Sequence, residues 1–576
     1  MPKSNFIIEN IINILPSVLL YAELHFRFKW RWSAYYIREP EILADLPYRV
    51  EPGTAIPILL LIKDSHQFPI TLREIKVKLY KSNELLKTKN IKYNTSITSR
   101  FWDETVFIES ENISGTVDIV VEFNYLINGV EKKCFTHNFP QSKFHKLTTY
   151  LSNHSFPNDG KVQYGDLHYH TNLTEDMVEF GAPLKATLFA AHSIGLDFFC
   201  NTDHSYDLDD MPGSWKETDP TLEKWNNSRN EIDSLNNEFA DSSFIIPSEE
   251  LSLHNLDGRN IHALILNNSD FLPGSGDSAE KPFNFTSEYN TQNVNEGLEK
   301  DALCIAAHPF NPVPILQWLF FKRGKWKLND VLQNNIAGLQ ILNGAIDTGF
   351  NEGMKFWINI LLKGHHKYIY AGNDAHGNFN IYRQIKIPMV SLYEKKEQIF
   401  GQFRTGVYPT KKNDISTIIK SLKNGNCFVT NAPLLNMTFH SDSSIYAMGS
   451  VVNVDNGILN ISIISTPEFG KIKKIVIKKG VIGENLRKSK GRCPFFYFKC
   501  ISLRGLHFRQ GFWAETEGGG FTSYIYFKNP LPCFYRRLSG LASSKVTQKG
   551  IQKSDPKWYP FRGGQNRENI RKTKCF

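Results

Sequence analysis

His168 and His170 stand two residues apart in Gly-Asp-Leu-His-Tyr-His-Thr. On an extended strand both imidazoles project from one side, as two ligands of one metal must. A lone pair of this kind says little, so the later partners decide. Four further apolar runs each end in residues of metal-binding type. Leu196 to Asn201 leads to Asp203 and His204, Phe244 to Pro247 to Glu249 and Glu250, Leu303 to Ala307 to His308, and Tyr368 to Ala371 to Asp374 and His376. The elements that must position them are short buried strands ending on a common rim, as the parallel strands of a β/α barrel do. Only twelve residues separate Glu250 from His262, too few for a crossover helix. The turn signal Asn255-Leu256-Asp257-Gly258 and the apolar run Ile261 to Leu266 predict a hairpin there, with His262 on the same rim as Glu250.

Gly-Asp-Leu-His-x-His-Thr, Thr-Asp-His, Pro-Ser-Glu-Glu, Ile-His-Ala-Leu-Ile-Leu, Ala-His-Pro-Phe and Gly-Asn-Asp-Ala-His-Gly occur in this order. The series resembles the motifs of the PHP (polymerase and histidinol phosphatase) family over residues 160–432. The segment Cys427-Phe-Val-Thr-Asn-Ala-Pro is similar to the exit segment of that family's carbaryl-hydrolase-like branch. The resemblance implies a distorted (β/α)7 barrel, an α/β fold, holding two or three divalent ions, zinc, manganese or iron. As ligands it implies His168, His170, Asp176, His204, Glu250, His262, His308, Asp374 and His376. Glu250 is preferred to Glu249 by the family's Pro-Gly-x-Glu pattern, in which Ser248 here replaces the glycine.

Imidazoles and carboxylates without a thiolate suit zinc, iron or manganese and are too rich in nitrogen for calcium or magnesium alone. Nine ligands exceed the needs of one ion. Two or three ions, bridged by a carboxylate such as Glu250 and by hydroxide, would supply a nucleophile at neutral pH and neutralise transition-state charge. The expected reaction is hydrolysis of a small-molecule or nucleotide-type phosphoester. A carboxylic or carbamate ester on the same metals is the alternative, and a non-catalytic metal-binding scaffold the third reading. Beyond the ligands, Asp203 is a candidate catalytic or histidine-orienting residue, His254 a candidate proton donor to the leaving group, and Arg383 a candidate phosphate contact. Trp318, Phe320, Phe321 and Trp326, interleaved with Lys322, Arg323, Lys325 and Lys327, suit a phosphate clamp or a lid equally. No Gly-rich phosphate loop and no Ser-centred elbow is present in the sequence.

The chain of 576 residues, 41% apolar and 22% charged, is long enough for several domains with proper cores. Residues 1–44 read as an N-terminal helical segment. The apolar run 6–22 is broken by Glu9, two asparagines and Pro16, so neither a membrane span nor a signal peptide is expected. Residues 45–155 carry short Val-, Ile- and Phe-rich runs, with Asn128-Gly129 between two of them, and predict a β-sandwich that packs or gates. Within the barrel, helices are expected over 183–194, 221–239, 351–362 and 415–423, with 336–342 a strand lacking a ligand. Residues 433–533 predict a second small sandwich, in which 491–517 has no regular pattern. The tail 534–576 holds eleven Lys or Arg against Asp555 and Glu568, equal to the net charge of +9 for the whole chain. The remainder is neutral; the tail reads first as a disordered, solvated extension, and nucleic acid or an anionic surface could bind only through it. The eight cysteines show no Cys-x-x-Cys, and Cys200 and Cys304 fall in apolar strands. This favours a reducing compartment, the cytoplasm.

Overall fold

From Glu41 onward the chain builds sheets. The computed structural model describes residues 39–483, apart from 140–141, 143–144, 175–180, 212–216, 241, 275–286, 314, 321, 388–390, 442–443, 454–456, 471, 473–474 and 481, together with short strands between 496 and 527. The run 6–22, Asp176 and the tail 534–576 therefore lie outside the described residues. The end of the segment expected to be helical is a strand, Glu41–Asp45. It pairs antiparallel with Ile56–Lys63, which pairs with Phe101–Ile108. A six-stranded sheet built on Ile70–Lys81 and Gly115–Ile127 faces this one. Ile42, Ile58, Leu60 and Ile62 interleave with Ile75, Val77, Ile119 and Phe123 in one apolar core. The alternate residues Leu43, Leu59 and Leu61 face the other way, into a core shared with the following domain. Ile56–Lys63 is thus covered on both faces, which is why it reads as an unbroken apolar run rather than an alternating one.

Nine strands then form a nearly closed, barrel-like sheet in a mixed α/β domain. They are β1 (Gln163–His170), β2 (Phe198–Asn201), β3 (Phe244–His254), β4 (Asn260–Leu266), β5 (Leu303–Ala306), β6 (Ile336–Asn343), β7 (Tyr368–Gly372), β8 (Arg404–Val407) and β9 (Cys427–Thr430). Their order is β7-β6-β5-β4-β3-β2-β1-β8-β9. The gap between β7 and β1 is bridged by backbone: Asn373 and Asp374 donate to the His168 carbonyl at 3.3 and 2.8 Å, and Ala375–His376 pairs with Tyr169–His170.

The expected regular alternation of strand and helix is not found. α1 (Leu184–Ser193) joins β1 to β2, α2 (Glu223–Glu238) joins β2 to β3, and α4 (Thr348–Leu362) joins β6 to β7. The link from β5 to β6 holds the short α3 (Ile315–Phe320). Those four strand pairs are parallel. β3, β4 and β5 instead run antiparallel to one another: the link after β3, residues 255–259, cannot hold a crossover helix, whereas the link after β4, residues 267–302, is long and its antiparallel return is not set by length. On the other side β8 is antiparallel to β1 and to β9, and α5 (Ile415–Lys423) lies between β8 and β9. Beyond the barrel, Leu434–His440 pairs with Ile458–Ile464, and its buried side chains join the core that contains α1. Among the described residues no helix is long and apolar enough to cross a membrane.

Candidate metal centre

The histidines reach one place because the strands deliver them there. Between Asp166 and Tyr169, β1 carries one residue more than β2, a bulge that re-aims the side chains of the Leu-His-Tyr-His segment. Asp166 holds this bend in place: its carboxylate accepts from the backbone of His168, Asn373 and Gly401 and from the Asn373 side chain at 2.7–3.2 Å. Burial outweighs these donors and lifts its pKa to about 6. Gly372 lets β7 approach, since a Cβ there would come within 2.5 Å of the His168 Cβ. His308 follows β5 with φ +25°, and Asp374 follows β7 with φ +52°. Such backbone is costly for residues with side chains and is held here by the surrounding structure.

Glu250, fully buried on β3, is the hub. Its Oε1 lies 2.8 Å from His262 Nδ1 and 3.0 Å from His308 Nε2. Its Oε2 lies 2.9 Å from His204 Nδ1 and 3.5 Å from Nε2 of both His168 and His170. Those last two nitrogens are 3.0 Å apart, and Asp374 Oδ1 is 3.3 and 3.2 Å from them. His376 stacks on His170 with ring centroids 4.1 Å apart. Three overlapping donor groups result: His170, His204 and His376; His168, Glu250, His308 and Asp374; and His204, Glu250 and His262.

The charges of this cluster suit cations. His262 and His168 more than offset the burial of Glu250 and hold its carboxyl well below the usual range, and Asp374 is held down in the same way by His168 and His170. Burial would lower His168, but Asp374 and Glu250 raise it to about 9. Burial and the neighbouring His376 and His204 push His170 far down. A proton on His168 thus occupies a place where a divalent ion would satisfy more donors at once. His204 Nδ1 and Glu250 Oε2, though 2.9 Å apart, lack hydrogen-bond geometry with each other, and both are buried. Two buried donor atoms this close, neither with a hydrogen-bond partner of good geometry, fit a metal between strands.

A further layer fixes the rings, and the sequence left it unassigned. Gln340, a polar residue within the apolar run of β6, places Oε1 2.9 Å from His168 Nδ1 and accepts the His308 backbone N–H at 3.2 Å. His168 Nδ1 therefore keeps a proton, and Nε2 is the nitrogen that would present a lone pair to the cluster once a cation displaces its own proton. Gln340 Nε2 donates to Asn343 Oδ1 at 2.8 Å, and Asn343 Nδ2 to Asp374 Oδ2 at 3.0 Å, which leaves Asp374 Oδ1 facing the histidines. Arg323 is the second addition. Its guanidinium nitrogens lie 2.5 and 3.2 Å from the ring nitrogens of His262.

Of the three residues considered beyond the ligands, Asp203 stands behind a histidine of the cluster and the other two stand away from it. Asp203 is buried behind the rim, accepting from Thr171 N at 2.6 Å, Thr171 Oγ1 at 2.8 Å and Thr174 Oγ1 at 2.8 Å. Thr174 Oγ1 in turn is 3.3 Å from His170 Nδ1, so Asp203 orients that histidine through the turn after β1. His254 lies four residues beyond Glu250 on β3, roughly 13 Å along the strand. There its backbone pairs with Tyr289 and Thr291. Arg383 is buried against Phe139, with Nε 3.4 Å from Glu394, on the side facing the sandwich. Glu249 also turns from the rim, accepting from the Leu272 backbone.

No protein-family model matches the chain, and no curated protein matches it. Among solved structures, the sporulation control protein Spo0M from Bacillus subtilis is 13% identical, over 20% of this chain and 51% of its own, with a TM-score of 0.13. The chain thus spans about half the length of that protein. A putative late embryogenesis abundant protein is 14% identical over 25% of this chain and 93% of its own, also with a TM-score of 0.13. Likenesses this slight carry no argument about fold or chemistry.

Proposed function

We propose that this chain is a metal-dependent hydrolase of phosphoesters, of PHP type in a divergent form of that barrel. The single observation that carries the reading is Glu250, one buried carboxylate whose two oxygens face five imidazoles from separate strands and loops of one rim. Divalent ions held there would lower the pKa of water toward neutrality and neutralise charge gathering on substrate oxygens. His168, His170, His204, Glu250, His262, His308, Asp374 and His376 would hold them, with Glu250 shared between positions. The donor set suits zinc, manganese or iron.

The chain's own residues contribute the rest. Gln340 and Thr174 keep the ring tautomers that present lone pairs to the cluster. Burial of the cluster excludes bulk water and strengthens every charge interaction within it. Arg323, beside His262, adds a planar cation suited to pairing with a phosphoryl group. An oxyanion on carbon would need less positive charge, so this arginine favours a phosphoester over a carboxylic or carbamate ester.

The test is elemental analysis of the purified protein, paired with hydrolysis of bis-p-nitrophenyl phosphate, p-nitrophenyl phosphate and p-nitrophenyl acetate. The expected result is about two or three ions per chain, with phosphoester turnover that His308→Ala abolishes. Ester turnover alone would move the reading to the ester substrate. Protein that takes up no zinc, manganese or iron would overturn it.

A further inference from the structure

The link between β5 and β6 carries a surface that hydrolysis does not explain. Ile315, Trp318 and Leu319 of α3 are 81%, 48% and 58% exposed, and their spacing puts them on one helical face. Leu256, at the tip of the β3–β4 hairpin, adds a fourth exposed apolar side chain close by. The helix is moored to that hairpin. Arg259 donates to the Trp318 carbonyl at 3.0 Å and lies over the indole at 4.2 Å. Just after the helix, Asn260 N–H donates to the Lys322 carbonyl at 3.0 Å, and Gly324 N–H to the Asn260 carbonyl at 2.7 Å. A segment tied at both places keeps its apolar face outward instead of folding over the histidines as a lid.

Lys322 and Lys325, both exposed, border the apolar residues, while Lys327 is paired with Asp257. Arg259, over the Trp318 indole, adds one more cation to the same stretch of surface. The hairpin tip begins roughly 13 Å beyond Glu250 along β3, so this patch stands above the rim that carries the donor cluster. Aliphatic side chains and a tryptophan bordered by lysines form the pattern of an interfacial membrane anchor, in which the apolar groups enter the acyl boundary and the cations meet anionic headgroups. An apolar pocket on a protein partner would match the three side chains but leave the bordering cations without counter-charge.

We propose that the α3 segment is a docking surface for anionic lipid bilayers. Docking would turn the metal-binding rim toward the membrane, and Arg323, in the same segment, would link the bound surface to His262. The surface itself needs no hydrolytic activity.

The test is co-sedimentation of the full chain with vesicles of phosphatidylcholine containing about 30% phosphatidylserine, against vesicles of phosphatidylcholine alone. The comparison is with the triple substitution Ile315→Ser, Trp318→Ser, Leu319→Ser, which retains the basic tail. All three side chains are exposed, so metal content and melting temperature should stay at wild-type values and report folding. Wild type should bind the anionic vesicles, and the triple variant should bind them at least about tenfold more weakly. Lys322→Glu with Lys325→Glu should weaken binding while leaving the apolar face intact. Equal binding by the triple variant would assign membrane affinity to the tail and overturn the proposal. So would a wild type that ignores vesicles but forms a dimer that the triple variant cannot form. Neither result depends on whether phosphoesters are hydrolysed.

Discussion

Gln340 makes the sharpest test at the level of single side chains, because it touches His168 and the His308 backbone without reaching the centre of the cluster. Gln340→Leu keeps the volume and removes both interactions. Metal affinity should fall about 10–100-fold, read by competition with a chromophoric chelator, while melting of the metal-free protein changes far less. A Gln340→Leu protein that binds metal as wild type does would show the amide to be ordinary packing. Arg323→Met separates charge from packing in another way. It should raise KM for phosphoesters while leaving metal content and p-nitrophenyl acetate turnover unchanged. The ligands of the candidate centre were legible because His, Glu and Asp close apolar runs at short, repeated spacings. Gln340 and Asn343 were not, since an amide in a strand announces no chemistry until its neighbours in space are known. Arg323 stood out only as one cation in a basic, aromatic stretch. Arg383 was misread through proximity in sequence: seven residues past His376, the chain has already turned toward Phe139 and Glu394.

The strands show how a local rule becomes a site. β1 and β7 bring His168 and Asp374 together only because Gly372 has no side chain; a methyl group there would press on the Cβ and backbone nitrogen of His168. Gly372→Ala should therefore cost stability in the range of overpacked cores, about 1–3 kcal/mol, and should weaken metal binding as well, because His168 must move. Urea unfolding with and without metal measures both, and equal losses in the two titrations would mean that the histidine stays in place. The hairpin joining Glu250 to His262 was legible from its interval and its Asn-Leu-Asp-Gly turn. The mixed direction of the strands was not, because apolar runs state that strands are buried without stating their direction. Connection length settles direction only at the tight β3–β4 hairpin; the antiparallel returns of β5 beside β4 and of β8 beside β1 follow long links, and together they turn a parallel expectation into a mixed sheet. The bulge in β1 is equally silent in sequence, yet it sets where His168 and His170 point.

Across the whole molecule, the seam between sandwich and barrel holds charges that folding must accommodate. Asp45 is fully buried, its two oxygens accepting from the Leu46 and Phe379 backbones at 2.8 and 2.9 Å, so it ties the first strand of the sandwich to the segment just after His376. Burial lifts it to about 7 despite the opposing pull of Arg383, and burial likewise lifts Glu41, on the same strand, to about 7 against Lys63. In the unfolded chain both titrate near pH 4. Between about pH 4 and about pH 7 the native state therefore holds more protons than the unfolded state, and stability must fall as pH rises through that window. The contribution is complete below about pH 4 and gone above about pH 7, and a shift of this size amounts to a few kcal/mol for each group. The two do not add simply, because both face Arg383. The metal centre works in the opposite sense, since its ligands must shed protons to bind cations, so the comparison belongs in chelator. Asp45→Asn should lower stability at every pH by weakening one of the two backbone contacts, and it should also flatten the decline between about pH 4 and about pH 7. Unfolding midpoints of the two proteins should then converge as pH rises. If they stay parallel across that range, Asp45 is ionised in the folded protein and Arg383 neutralises it, making the seam an ion pair rather than a site that holds a proton.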